Sequence, residues 1–131
     1  MNDAVVRVPR PANEPVLGFV PGSPERAAIK AAITLVEGES FDIPLVIGGK
    51  ESRTGRTAPL RRPDALGKSM GVYHMAGEAE AMAACEAALA AKASWEALPW
   101  DERAAVFLRA AELLTGKYRY YIEAATMLGQ S

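Results

Sequence analysis

Between Asp101 and Gly116 the sequence reads DERAAVFLRAAELLTG, and this stretch limits the fold more than any other. At helical spacing Ala104, Phe107, Leu108, Ala111 and Leu114 share one side, and Glu102, Arg109 and Glu112 the other, so an amphipathic helix with a buried stripe is expected. Pro99 and Asp101 stand where a helix start tolerates proline and welcomes a carboxylate. Gly116 stands where a left-handed residue would close the helix. Arg103 departs from the pattern by projecting towards the apolar flank. An arginine there snorkels or pairs with a carboxylate, and a structural ion pair is expected ahead of a catalytic role.

The neighbouring stretches repeat the theme with smaller side chains. From Ala76 to Ala125 the apolar content is carried largely by alanine, which favours helix and allows close approach but buries little area per residue. Gly77 to Leu98 reads as a helix whose strip runs through Ala81, Ala84, Ala88, Ala91 and Trp95, widened by Met82, Cys85 and Leu89. Such a strip predicts close contact with another helix, fixed at one end by the indole. The Leu98-Pro99 turn would then make an αα-hairpin with the helix that follows. Lys117 to Leu128 begins a further helix with Tyr118, Ile122, Ala125 and Leu128 as its apolar side.

The first half has a different texture. Met1 to Gly22 contains Pro9, Pro11, Pro15 and Pro21 among short apolar pieces, which predicts an extended arm lying on something else. Ser23 is a natural N-cap, Pro24 suits the first helical position and Glu25 complements the dipole. Ala28, Ile29, Ala32, Ile33 and Val36 continue that helix until Gly38 stops it. Asp42 to Lys50, DIPLVIGGK, is a β-rich run ending in a Gly-Gly turn, with Glu51 to Thr57 as the return strand and Pro44 marking an edge. Thr57 to Arg62 is extended, Pro63 to Gly67 is a turn capped by Asp64, and Lys68 to Met75 is a further strand. The residues thus predict an α+β segment, divided into an arm over 1–22 and a body over 23–131.

With 131 residues, half of them hydrophobic, and a net charge of −1, the chain has the balance of a soluble globular domain. That charge sets up no field to gather nucleic acid or anionic membrane, and no apolar run is long enough to span a bilayer. The opening MNDAVVRVPRPANEP has no apolar core of a secretory signal and does not read as a transit peptide. A single cysteine, Cys85, precludes an intrachain disulfide and suits a reducing, cytoplasmic setting.

Few residues invite a chemical reading. Cys85 lies in mid-helix within an alanine face, without a nearby histidine, and is expected to be a buried small hydrophobe rather than a nucleophile. His74, the one histidine, could act as an acid or base at a strand end, yet no second ligand stands at metal spacing, so a structural role is expected. Gly48-Gly49-Lys50 lacks the remainder of a phosphate loop and reads as a hairpin turn. Lys50, Arg53, Arg56, Arg61, Arg62 and Lys68 form a basic run without interleaved aromatics, expected to be a solvated edge that discourages strand pairing. On residues alone no catalytic, cofactor-binding or metal-binding position is assigned.

Resemblance reaches further. ANEPV (Ala12 to Val16), GSPER (Gly22 to Arg26), DIPLVIGGK, the block AALAAKASWEALPWDERAAVFLRAAELLTG from Ala87 to Gly116, and AATMLGQS (Ala124 to Ser131) follow one another in the order of a known family. Together they resemble the amino-terminal segment of the 1-pyrroline-5-carboxylate dehydrogenases (L-glutamate γ-semialdehyde dehydrogenases), a branch of the aldehyde dehydrogenase superfamily. The resemblance implies an α/β fold, with residues 23–131 forming an incomplete part of the cofactor-binding domain. It also implies oxidation of the semialdehyde to glutamate in proline degradation, through a cysteine thiolate, an oxyanion site, hydride transfer to NAD and a glutamate-activated water. None of those groups matches a residue here, and Cys85 is outside the nucleophile's motif.

The chain stops at Ser131 within a helical pattern, so the expectation is an amino-terminal fragment, inactive alone, of an enzyme that is a cytoplasmic homo-oligomer when full length. It would act on a small molecule, without nucleic acid or membrane partners. The alternative is a free-standing helical interaction module derived from such an enzyme. A nucleic-acid binder built on the basic edge is the remotest reading.

Overall fold

The computed structural model describes residues 7–10 and 12–130, so the part of the arm formed by Met1–Val6 and Pro11 lies outside them. Residues 12–20 carry neither helix nor strand and are mostly exposed, with Pro15 in their midst. Leu17 and Phe19 are half-buried, and Phe19 is the one fixed to the core. Its backbone takes a left-handed φ of 49°, its ring packs on the core, and its carbonyl accepts a hydrogen bond from Arg26 Nη1 at 3.1 Å.

Helix α1 spans Pro24–Gly38, two residues beyond the expected end. The Ser23 hydroxyl accepts from the Arg26 N–H, Pro24 occupies the first turn, and Ile29 and Val36 are the buried positions of its apolar stripe.

The strand region forms two small sheets. Strands β1 (Phe41–Ile43) and β2 (Leu45–Ile47) are separated by Pro44, which therefore sits between strands rather than within one. β2 pairs antiparallel with β3 (Lys50–Ser52) through the Gly48-Gly49 turn, where both glycines have positive φ (57° and 76°), as a tight hairpin turn of the primed kind requires. β4 (Thr57–Arg61) and β5 (Ser69–His74) form a second antiparallel pair, irregular between Pro59 and Arg61, and β1 adds in parallel to the other side of β5. The order β1-β5-β4 leaves Pro59 on an edge strand, where its missing donor costs no inner ladder bond.

Helices α2 (Glu78–Ala97), α3 (Trp100–Thr115) and α4 (Arg119–Gln130) follow. The core lies where α1, α4 and the three-stranded sheet meet: Ile29, Val36, Met70, Ala124 and Leu128 are buried, and Phe19, Phe41, Leu60, Tyr120 and Tyr121 pack around them. A fully buried aliphatic side chain contributes about 1.5–3 kcal/mol, so this cluster outweighs anything at the surface.

Several expectations are corrected here. The buried face of α4 runs through Tyr121, Ala124 and Leu128, roughly a quarter turn from the expected one, while Tyr118 and Ile122 are exposed. The reason is that the half-buried Tyr121 packs its ring against the core and still satisfies its hydroxyl on Glu39. Neither α2 nor α3 has a buried residue, and Phe107 and Leu114 of the supposed buried stripe are 68% and 54% exposed. Nothing among the described residues covers them. The alanine strip of α2 meets the β2–β3 hairpin instead of a helix, through Val46, Ile47 and Gly48 against Ala84, Ala87, Ala88 and Ala91. α2 and α3 meet at Trp95, edge-to-face on Phe107 with ring centres 6.5 Å apart, rather than along a packed hairpin. Gly116 has φ −111°, so α3 ends without a left-handed cap, its last turn closed by the Gly116 N–H on the Glu112 carbonyl.

Candidate functional site

The densest polar arrangement joins both sheets around His74. β5 places the imidazole inward, 9% exposed, beside Asp42 on the parallel neighbour β1. The Gly55 backbone N–H can only donate, so His74 Nδ1 accepts from it at 3.2 Å, and Nε2–H donates to Asp42 Oδ1 at 3.0 Å. Asp42 Oδ2 accepts from Arg53 Nε at 2.8 Å, and Arg53 Nη1 reaches Glu51 Oε2 at 2.8 Å. The Arg53 hydrogen bond holds the Asp42 carboxyl below the usual carboxylate range, against some desolvation and with help from His74. Asp42 and Glu51 in turn push the Arg53 guanidinium up. Both ring nitrogens are engaged, which makes His74 a cross-link between strand and loop.

The basic run is not a uniform solvated edge. Arg62 is buried and forks between Asp64 and Glu37, tying the β4–β5 turn to the end of α1. Asp64 therefore serves Arg62. The hydrogen bonds to Asp64 and then Glu37 push the Arg62 guanidinium up, and Arg62 in turn holds the Asp64 carboxyl below the usual range. Arg56 Nη2 binds Glu80 at 2.9 Å, and the same carboxylate oxygen accepts the Gly77 N–H at 2.6 Å at the start of α2. Arg62–Glu37 and Arg56–Glu80 were hidden because 25 and 24 positions separate the partners.

Arg103 makes no ion pair among the described residues. Its Nε is buried without a hydrogen-bond partner, because the acidic residues of α3 lie on other faces of the helix. Cys85 is exposed, not buried: the hairpin covers the Ala84–Ala88 side of α2, and the flank bearing Met82, Cys85 and Leu89 turns away from it. No cluster of potential metal ligands occurs among the described residues.

A groove of about 510 Å³ runs between α1 and α4, floored by Phe19, Ile29, Ile33 and Met127 and edged by Lys30 and Glu123. The described residues present no cradle for a dinucleotide. The Gly48-Gly49 turn leads into a strand rather than a helix N-terminus, and this groove is almost wholly apolar.

The described residues thus form one mixed three-stranded sheet, one antiparallel hairpin and four helices. Residues 50–129 match the aldehyde dehydrogenase family, and the chain belongs to that family. It is 41% identical over 128 residues to the delta-1-pyrroline-5-carboxylate dehydrogenase of Agaricus bisporus, covering 97% of this chain and 23% of that protein. It is 40% identical over 119 residues to the mitochondrial delta-1-pyrroline-5-carboxylate dehydrogenase of Homo sapiens, covering 91% of this chain and 21% of that one. Among solved structures, the Mycobacterium tuberculosis delta-pyrroline-5-carboxylate dehydrogenase bound with NAD and cobalamin superposes with a TM-score of 0.95 at 46% identity, over 100% of this chain and 25% of that chain. The chain thus spans about a quarter of the length of the relatives it matches, and its α+β arrangement is that of part of their fold. No helix among the described residues is long and apolar enough to cross a membrane.

Proposed function

We propose that this chain is the amino-terminal part of an NAD-dependent dehydrogenase that oxidises L-glutamate γ-semialdehyde, formed from 1-pyrroline-5-carboxylate, to L-glutamate in proline degradation. The observation that carries the reading is the similarity to named pyrroline-5-carboxylate dehydrogenases along nearly the whole chain, at 41% identity in sequence and a TM-score of 0.95 in structure. The chain's own part is architectural. Residues 23–131 supply the first portion of the cofactor-binding domain, with residues 1–22 as an arm along it. The open faces of α2 and α3, which expose Met82, Leu89, Phe107 and Leu114, pack on the remainder of the longer polypeptide. NAD and the reacting groups belong to that remainder, and catalytic, cofactor and metal positions within this chain are none. The full enzyme is a homo-oligomer of the cytoplasm that takes a small-molecule substrate and engages neither membrane nor nucleic acid.

The test compares two polypeptides in the same assay. The 131-residue chain, given NAD+ and pyrroline-5-carboxylate, should form no NADH above blank, whereas a polypeptide extended to the length of the relatives should form it readily. Turnover by the short chain, or a preference of the long one for an unrelated aldehyde, would overturn the reading.

A further inference from the structure

The loop between β3 and β4 is held to the three-stranded sheet by bonds of two kinds. Thr54 Oγ1 donates to the Met75 carbonyl at 3.1 Å, and the Met75 N–H donates to the Arg56 carbonyl at 2.7 Å. Neither depends on pH. Between them the Gly55 N–H donates to His74 Nδ1 at 3.2 Å, and this bond exists only while that nitrogen is bare.

We propose that His74 is an acid-sensitive latch: its neutral ring holds the Arg53–Arg56 loop against the sheet, and protonation at Nδ1 releases Gly55 and, through Arg56, loosens the start of α2. The direction of release follows from the groups around the ring. On β1, Asp42 accepts from Nε2 and keeps doing so when the ring gains a proton. Behind Asp42 stand Arg53 and Glu51, whose opposite charges face each other. β4 brings Thr57 opposite His74 in register and adds no charge. On the loop side the charged groups are Arg56 and its partner Glu80 of α2. A proton therefore arrives at Nδ1, the ring stays fastened to β1, and two N–H donors then confront each other across the Gly55 contact. The backbone of Gly55 must yield. Arg56 follows it in the chain, and the Glu80 oxygen bound by Arg56 also accepts the Gly77 N–H at the mouth of α2. The signal thus passes from an imidazole to a helix terminus through four residues.

Amide hydrogen exchange on the uniformly labelled chain reads the latch directly. Between about pH 7.5 and about pH 5.5 the protection of Gly55, corrected for intrinsic exchange, should fall on the order of tenfold, with Gly77 following and Val72 of β5 unchanged. His74→Gln offers an uncharged acceptor and should hold the protection of Gly55 level across that range. Constant protection in the parent, an equal fall in His74→Gln, or no protection of Gly55 at the upper pH would each overturn the proposal. Should the variant not fold, imidazole nitrogen shifts of the parent decide it. The Nε2–H tautomer should give way to the imidazolium at the midpoint where Gly55 loses protection, and separate midpoints would sink the idea.

Discussion

The Tyr121 hydroxyl donates to a Glu39 carboxylate oxygen across 2.7 Å, fastening α4 to the residue that caps α1. The bond lets a half-buried aromatic ring pack on the core without an orphaned hydroxyl, and the carboxylate it serves raises the phenol above its ordinary range, with desolvation adding to the effect. A raised phenol stabilises the fold fully below the ordinary value of about 10, and that contribution is lost as pH climbs through the higher folded value. Tyr121→Phe should cost about 1 kcal/mol at neutral pH and remove this alkaline dependence, as read by urea unfolding at neutral and alkaline pH. An unchanged midpoint would mean that the bond contributes nothing net.

Arg62→Met should lower the unfolding midpoint, because Glu37 and Asp64 would face each other without the guanidinium between them. The Asp64 carboxyl is held low by Arg62, so its contribution is present above the ordinary carboxylate value and lost as pH falls through the lower folded one. In the variant the Asp64 titration should climb back towards the ordinary carboxylate range, and the acid limb of stability should flatten. Carboxyl carbon shifts against pH provide the measurement.

Gly71→Ala should be among the most damaging single changes in the chain. Gly71 has φ 138°, and an added Cβ would overlap the carbonyl oxygen of Phe41, its register partner on β1. Backbone stands against it, so no rotamer change relieves the clash. A loss of about 3 kcal/mol or more is expected, seen as a lowered thermal midpoint and faster exchange of β1 amides.

Ala88→Leu distinguishes the open helix faces from covered ones. Ala88 is exposed here at the margin of the β2 contact, so in the 131-residue chain the change should be nearly neutral. In a polypeptide as long as the relatives it should cost about 1–3 kcal/mol by overpacking, if this strip is covered there as proposed. Equal melting shifts in the two backgrounds would refute the covering of α2.

What the sequence made legible was whatever depends on neighbours in the chain. Ser23-Pro24 announced α1, Gly48-Gly49 announced the hairpin, and the alanine spacing announced α2, because caps, turns and periodicity are local. What it concealed depends on partners far along the chain. The face of α4 was misjudged because tyrosine counts as neither polar nor apolar until its hydroxyl finds Glu39. Arg62 looked like one charge in a solvated run because Glu37 lies 25 residues away. His74 and Asp42 are 32 positions apart and meet only through the parallel pairing of β1 with β5, while nothing local marks Phe19 for a left-handed backbone. The buried stripe expected of α3 was a sound reading of amphipathicity, but a helix pattern states that a partner is wanted without saying where in the polypeptide it lies.

Pro44 divides the run Phe41–Ile47 between two sheets, so the segment turns a corner instead of running on as one strand. Lengthening the chain just after it would leave Phe41–Ile43 in step with β5 and turn over the side chains that Leu45–Ile47 show to α2. Evolution can thus retune the hairpin's grip on the alanine helix without disturbing the sheet beneath the core.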